Sequence, residues 1–215
     1  STAAVVRDYI DTHPSIKDCL TDGLINLSAL SRRIVDEREL EKPEAVLVAC
    51  RRYEQEAAKK ETPHLERRLR ATLAKSRVEI ASRVAIVTLR ADWKIYRRFE
   101  MFLRDSLAEG QLPKLIQGSR AITFITDGRT AEAMRKEIEP ENLIDIQKDL
   151  VEISVASPES IRTTPGVMSF LYGSLSSNGI NVLETMSTYT DTIFIVESQD
   201  MMRSFEILSR CLESE

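Results

Sequence analysis

Residues 149–198 limit the folds open to this chain more than any other stretch. Val151, Ile153 and Val155 alternate with polar or small side chains, and this period of two predicts a half-buried strand. Thr164 is then expected to cap a helix that begins at Pro165, where the missing N–H costs nothing. The apolar side chains that follow recur at helical spacing: Val167, Met168, Leu171 and Leu175. The sequence therefore predicts a strand followed by an amphipathic helix.

The rest of this stretch predicts a hairpin and a final helix. Asn178 and Gly179 tolerate the left-handed conformation of a helix C-terminus, so the first helix is expected to end there. The segments INVLETMST and TIFIVES predict two antiparallel strands joined around Tyr189–Asp191. Ser198 opens the last helix, whose apolar face carries Met201, Phe205, Leu208 and Leu212. The order β-α-β-β-α is a ferredoxin-like unit that lacks only its last strand.

The segment TTPGVMSFLYGSLSSNGINVLETMST resembles an ACT domain, in particular the regulatory ACT units of aspartokinases. The resemblance rests on the spacing from PG to GIN and on the strand with Ser and Thr that follows. It implies an allosteric sensor of a small molecule, commonly an amino acid, and a homodimer or higher homo-oligomer. The catalytic region of the kinases has no counterpart in these residues, so the resemblance does not imply kinase activity.

By the same resemblance, two loops form the effector cleft, often at an interface between ACT units. The 164–168 loop consists of Thr164, Pro165, Gly166, Val167 and Met168. The 178–182 loop consists of Asn178, Gly179, Ile180, Asn181 and Val182. The free amides of a helix start favour a carboxylate, and the Asn181 amide offers a donor and an acceptor. The alternative is a capped helix and a tight turn without a ligand.

Residues 77–148 predict a second, divergent copy of the same architecture. Strands are expected at 77–81, 83–89, 114–117, 121–125 and 143–146, with one helix between Asp92 and Gly110 and another after Asp127. The copy resembles an ACT unit but lacks the PG turn and the GIN start. It has one strand too many, whereas the unit at 149–215 has one too few. Residues 77–81 are therefore expected to supply the missing strand by exchange between the units.

Residues 1–60 are predicted to be helical, and residues 61–76 to form a connecting helix. The segment from Leu24 to Glu56 is similar to the helix-turn-helix pairs of prokaryotic regulators, with a second helix starting at Pro43. If this holds, phosphate contacts are expected from Ser31, Arg32, Arg33, Arg51 and Arg52. Because Glu41 and Glu44 near the start of that helix repel phosphate, a helical domain that binds protein, or is purely structural, stays open.

Composition narrows the classes of function. The formal net charge is −4, which argues against indiscriminate nucleic-acid binding, although residues 1–77 are more basic than the rest. No apolar run is long enough for a membrane span and no secretory segment is visible, so we expect a cytoplasmic protein without membrane partners. The three cysteines are widely separated, and no residues are spaced for metal, cofactor or catalysis. We expect no enzyme, no cofactor and no metal.

The expected fold class is therefore α+β, with a helix-turn-helix-like domain (1–60), a connector (61–76) and two ferredoxin-like ACT units (77–148 and 149–215). Two functions remain open. In the first, the protein is a regulator that senses an amino-acid effector through its ACT units and gives its output through the helical domain. If that output is DNA binding, the protein is a transcriptional regulator. In the second, the protein is a non-catalytic regulatory subunit that contacts an amino-acid biosynthetic enzyme.

Overall fold

The structure, a computed structural model, describes residues 1–57, 62–91, 93–108 and 113–213. The helices in these ranges are α1 (Thr2–Asp11), α2 (Pro14–Thr21), α3 (Leu27–Glu37), α4 (Pro43–Ala57), α5 (Thr62–Leu73), α6 (Trp93–Ala108), α7 (Gly128–Glu137), α8 (Val167–Ser177) and α9 (Met201–Leu212). The strands are β1 (Arg77–Arg90), β2 (Lys114–Gln117), β3 (Ala121–Asp127), β4 (Leu143–Ala156), β5 (Glu184–Thr188) and β6 (Asp191–Glu197). The helix signals at Asp92 and Gly110 lie outside the described residues.

The chain divides into two units, Ser1–Glu66 and Arg67–Glu215. The first unit is helical. Asn26 caps α3, because its side-chain oxygen accepts a hydrogen bond from the Ala29 N–H at 3.0 Å. The core of this unit is built from α1, α2, α3 and α4 and contains Val6, Tyr9, Ile10, Leu20, Leu30, Ile34, Val46, Cys50 and Tyr53.

The second unit contains one six-stranded antiparallel sheet with the order β2-β3-β1-β4-β6-β5. Its two central strands, β1 and β4, are each 14 residues long. Arg77–Ala81 pairs with Glu152–Ala156, and the remainder of β1 pairs with the first half of β4 and with β3. Both central strands therefore run through both halves of the sheet.

Separate strands were expected at 77–81 and 83–89, and again at 143–146 and 151–155, but each pair is one continuous strand. Arg83 and Asp149 have left-handed backbones, with φ of 62° and 58°. The register of the β1–β4 pair shifts between Ala81 and Val84, close to both residues. Such a bulge bends a strand without ending it.

Two side-chain contacts show that the sheet folds back on itself. Lys114 Nζ on β2 donates to Glu152 Oε2 on β4 at 2.8 Å, and the Thr123 hydroxyl on β3 donates to Glu184 Oε1 on β5 at 3.3 Å. Since two strands separate β2 from β4, a flat sheet would hold them about 14 Å apart. The two halves of the sheet instead face each other across a shared apolar layer of Val84, Ile86, Ile125, Leu150, Ile193 and Ile195.

The outer faces of the two halves carry the helices. On one half, α6 and α7 pack over a core that includes Val87, Leu89, Phe99, Phe124 and Met134. On the other half, α8 and α9 pack over a core of Val151, Ile153, Leu171, Phe194 and Leu208. The last residues of α5 join this second core through Leu73, which is buried, and Leu69.

Candidate functional site

The start of α8 differs from the prediction. Thr164 was expected to cap the helix and Pro165 to begin it, but the N-cap is Gly166 and the helix begins at Val167. The hydroxyl of Thr164 donates to the Ser160 carbonyl at 2.8 Å, within a 3₁₀ turn at Glu159–Thr163. Gly166 has φ of +92°, which favours a residue without a side chain. The chain therefore turns at Pro165 and Gly166 before the helix starts.

The 164–168 loop lies beneath the C-terminal half of α5. A Cβ atom added to Gly166 would lie 3.4 Å from Leu69 Cδ1. The Arg68 guanidinium donates to the Thr163 carbonyl at 2.8 Å, and the Thr72 hydroxyl lies 3.4 Å from that of Thr164. The 164–168 loop and the C-terminal half of α5 are therefore in direct contact.

Within the loop, exposure is divided. Pro165 and Gly166 are exposed, whereas Thr164 and Val167 are buried. Met168 is half-buried, and its sulfur accepts a hydrogen bond from the Thr192 hydroxyl at 3.3 Å. The first amide of the helix to reach a carbonyl within it is that of Phe170, which donates to the Gly166 carbonyl at 2.8 Å. The preceding amides lie at the positive end of the helix dipole, where an anion is favoured.

The 178–182 loop closes the other end of α8, as predicted from Asn178 and Gly179. Gly179 has φ of +74°, and the Ile180 N–H donates back to the Leu175 carbonyl at 3.1 Å, which is a Schellman motif. Ile180 is buried in the core below α8, while Asn178 and Asn181 are exposed. Val182 is half-buried, and Leu183, the next residue, lines a cavity of about 400 Å³ together with Leu150, Glu197 and Ser198 among others.

One chain does not bring the two loops together. They lie at opposite ends of α8, whose 11 residues span about 16 Å at 1.5 Å per residue. Thr188 on β5 and Ala156, the last residue of β4, both pair with Asp191. The 164–168 loop follows β4 in the chain and therefore lies at the Thr188 end of β5. The 178–182 loop leads into Glu184, at the other end of the same strand. A small ligand cannot contact both loops of the same chain.

The residues expected to contact DNA lie on α3 and α4. Ser31 is buried, and its hydroxyl donates to the Ser28 carbonyl, so it does not face solvent. Arg33 donates to Glu37 at 2.7 Å, and Arg52 to Glu56 at 3.2 Å, both as surface ion pairs. The Arg33 guanidinium, together with the Tyr9 hydroxyl, holds the pKa of Glu37 below its usual value. Arg32 and Arg51 are exposed and have no ion pair within the described ranges.

Among the described residues, no three His, Cys, Asp or Glu side chains are grouped to hold a metal ion. Within those same ranges, no helix combines the length and the apolar character that a membrane span requires.

Comparisons with known proteins cover only part of the chain. The solved structures similar to this chain include two regulatory subunits of aspartate kinase. The ligand-free subunit from Thermus thermophilus is 17% identical, with a TM-score of 0.52, over 63% of this chain and 97% of that one. The subunit from Thermus flavus is 14% identical, with a TM-score of 0.51 and the same coverage.

Aspartate kinase from Clostridium acetobutylicum is similar over 63% of this chain, with 11% identity and a TM-score of 0.51. The chain spans only 34% of the length of that kinase. No curated protein sequence matches this one. At such low identities the structural likeness concerns the fold. Residues 145–210 match the family model of the ACT domain, which confirms the resemblance predicted for this part of the chain.

Proposed function

We propose that this protein is an allosteric regulator that binds a small-molecule effector, expected to be an amino acid, at its ACT region. The match of residues 145–210 to the ACT domain supports this proposal, as does the shared fold with regulatory subunits of aspartate kinase. The observation that carries it is the contact between the 164–168 loop and α5. Leu69 lies beside Gly166, and the Arg68 guanidinium donates a hydrogen bond to the Thr163 carbonyl. Occupancy of the loop is thereby coupled to a helix that continues upstream to Thr62.

We further propose that a complete site needs two copies of the chain. β5 is an edge strand, so its outer side is free to pair with another strand. Antiparallel pairing of two β5 strands would place Glu184 of one copy opposite Thr188 of the other. The 178–182 loop of one copy would then approach the 164–168 loop of its partner. This arrangement resolves the separation of the two loops within one chain.

The two loops would recognise different ends of an amino acid. The free amides at the start of α8 suit the α-carboxylate, because the helix dipole favours negative charge there. The exposed Asn181 side chain of the other copy suits the ammonium group through its carbonyl oxygen. The effector can shift the regulator only by the difference in its affinity for two arrangements of the loop and α5.

The test uses two variants that each damage one loop. Ser169, exposed in the first turn of α8, is changed to Asp, which repels a carboxylate but suits a helix start. Asn181→Ala removes the second contact, and Ser169→Asn is the matched control for S169D. Thermal-shift and calorimetric titrations with the twenty amino acids identify the effector for the unchanged protein, since a ligand of the native state raises its stability.

Each altered homodimer should bind the effector at least about tenfold more weakly, because N181A removes a hydrogen bond to a charged group and S169D places a like charge near the carboxylate. In mixed dimers of S169D and N181A, one site carries both changes and the other carries neither. Mixing should therefore restore full affinity at one site per dimer. Failure of mixing to restore any binding, with dimers shown to exchange, would refute a site shared between copies.

For the output, the observation that favours DNA contact is the pair Arg32 and Arg51, both exposed on helices that pack together and without an ion pair to any residue that the structure describes. The observation that favours protein contact is Val48 on α4, an apolar residue that is 62% exposed. Retention of the full chain on duplex DNA, measured as a function of salt, separates the two. R32Q/R51Q should lower both the retention and its salt dependence if phosphates are bound. V48S should matter only for a protein partner, such as a biosynthetic enzyme.

A further inference from the structure

The bend in the sheet opens a cleft that none of the features above explains. Its volume is about 700 Å³, within the range of small-molecule sites. It is lined by the bulge at 81–84, the start of α7 at 127–129, the start of β2 and the residues of β4 around Asp149. It lies wholly within the second unit. The 164–168 and 178–182 loops do not line it.

The backbone around the cleft brings distant segments together. Val84 pairs with Asp127 on β3 and with Leu150 on β4, so these three residues form one row across three strands. Adjacent strands lie about 4.8 Å apart, which makes the row about 10 Å wide. Arg83, Arg129 and Asp149 each lie within two residues of this row and line the cleft. Their side chains are therefore near enough to contact one small molecule together.

Arg83 and Asp149 are also the two residues whose left-handed backbones shape the bulge. Asp tolerates such a conformation, but for Arg it is uncommon and costs free energy. Strained positions of this kind concentrate where a side chain must be presented in a particular place. The strained residue Arg83 is one of the residues that line the cleft.

Several charged groups of the cleft are already paired. Lys114 forms an ion pair with Glu152, which is a buried residue, and Lys148 forms an ion pair with Glu132 at 2.6 Å. Asp127 caps α7, accepting hydrogen bonds from the amides of Arg129 and Thr130.

Three charged groups remain. Arg83, Arg129 and Asp149 have no ion pair within the part of the chain that the structure describes, and all three are exposed. The free groups are thus two guanidiniums and one carboxylate. Their complement is a molecule with two anionic groups and one cationic group.

We propose that this cleft is a second binding site, for an acidic amino acid held by its two carboxylates and its ammonium group. Arg83 and Arg129 each bind one carboxylate, for which the planar guanidinium offers paired donors. Asp149 binds the ammonium group. Lys114 and Glu152 also line the cleft, but they remain paired with each other and do not bind the ligand. This site does not depend on the proposed effector site at the two loops.

The probes are L-aspartate, L-glutamate, succinate and L-asparagine, titrated calorimetrically against the full chain. Succinate keeps both carboxylates but lacks the ammonium group, and asparagine lacks the second carboxylate. An acidic amino acid should bind at least about tenfold more tightly than either analogue. Equal binding of all four probes, or binding of none, overturns the proposal.

Variants locate the site. Arg129→Gln and Arg83→Asn should each weaken binding of the acidic amino acid at least about tenfold; Asn is chosen because it tolerates the left-handed backbone. Asp149→Asn should abolish the preference over succinate while leaving succinate binding unchanged. Arg203→Gln, an exposed change on α9, is the control. Thermal melting shows whether each variant is folded. If one of the two arginine variants does not fold, the other still tests the site.

Ser169→Asp separates this site from the effector site. It should leave binding of the acidic amino acid at the cleft unchanged. If S169D abolishes that binding and R129Q does not, the ligand belongs to the 164–168 loop and the cleft proposal is wrong. If R129Q and D149N act as expected while no amino acid responds to S169D, the cleft stands and the effector site fails.

Discussion

Lys114 and Glu152 form an ion pair at 2.8 Å although two strands separate β2 from β4 in the sheet. The side chain of Glu152 is only 11% exposed and that of Lys114 27% exposed, so water screens the pair poorly. The Ser154 hydroxyl also donates to Glu152, at 3.1 Å. This polar contact joins the two halves of the folded sheet at the edge of their shared apolar layer.

Removal of one partner should therefore destabilise the fold more than removal of both. Lys114→Met or Glu152→Gln alone leaves a poorly solvated group behind, and each should lower the free energy of unfolding by about 1–3 kcal/mol. The double variant should lose less than the sum of the two. Urea denaturation of the four proteins measures the coupling. Strict additivity would show that the two groups do not interact in solution.

Gly166 and Gly173 make a matched pair for the 164–168 loop. Gly166→Ala forces a side chain onto a backbone with φ of +92° and against Leu69, and should destabilise the protein by about 1–2 kcal/mol. Gly173 lies within α8, where an added Cβ has no atom within 4 Å. Gly173→Ala should therefore stabilise it by about 0.5–1 kcal/mol. Thermal melting compares the two, and equal effects would contradict the left-handed turn.

Acid should destabilise the fold partly through Glu132. Hydrogen bonds from Arg135 and Lys148 lower the pKa of this carboxyl from 4.5 to about 2. Because the folded-state pKa is depressed, the stabilisation is complete above pH 4.5 and is lost as the pH falls from there towards 2. Glu132→Gln should consequently flatten the decline of stability in this window.

Glu141→Gln is the control for that experiment, since Glu141 is exposed and has no ion pair within the described ranges. Urea unfolding at several pH values between 2 and 6 provides the measurement. If the stability of E132Q falls as steeply with decreasing pH as that of the unchanged protein, Glu132 does not contribute to the acid sensitivity.

The three cysteines should differ in reactivity. Burial raises the pKa of the Cys50 thiol to about 11, and Cys211 is also buried, whereas Cys19 is exposed. Only the thiolate reacts with a disulfide reagent, so at pH 8 one thiol should react quickly in the native protein and three after denaturation. Cys19→Ser should abolish the quick phase. Two quickly reacting thiols would indicate that the core opens around Cys50 or around Cys211 in the native protein.

Local patterns in the sequence predicted most of the elements but not their boundaries at strained residues. Period-two alternation found the strands of 143–156, yet nothing local showed that Asp149 would bend one strand rather than end it. At 164–166, Thr-Pro was interpreted as a cap and a helix start. The left-handed Gly166 overrides this signal, because Leu69 and Thr72 of α5 hold the preceding turn in place. That contact joins residues far apart in sequence.

The candidate sites depended still more on long-range contacts. Asn181 and Gly166 were recognisable by resemblance, but only the length of α8 shows that one chain keeps their loops apart. The cleft at Arg83, Arg129 and Asp149 has no sequence signature. The surplus strand at 77–81 was an indirect indication of the cleft. A strand that belongs to both halves of the sheet must cross the junction between them, where the cleft lies.

The sharing of β1 and β4 has a consequence for how the second unit comes apart. Neither half can melt alone, because loss of one half strips the other of its two central strands. Calorimetry of the full chain should thus resolve no separate transitions for 77–148 and 149–213, and a proteolytic cut near Asp149 should collapse both. A metabolite that stabilises one end of these strands would therefore also stabilise the other end, through cooperativity alone.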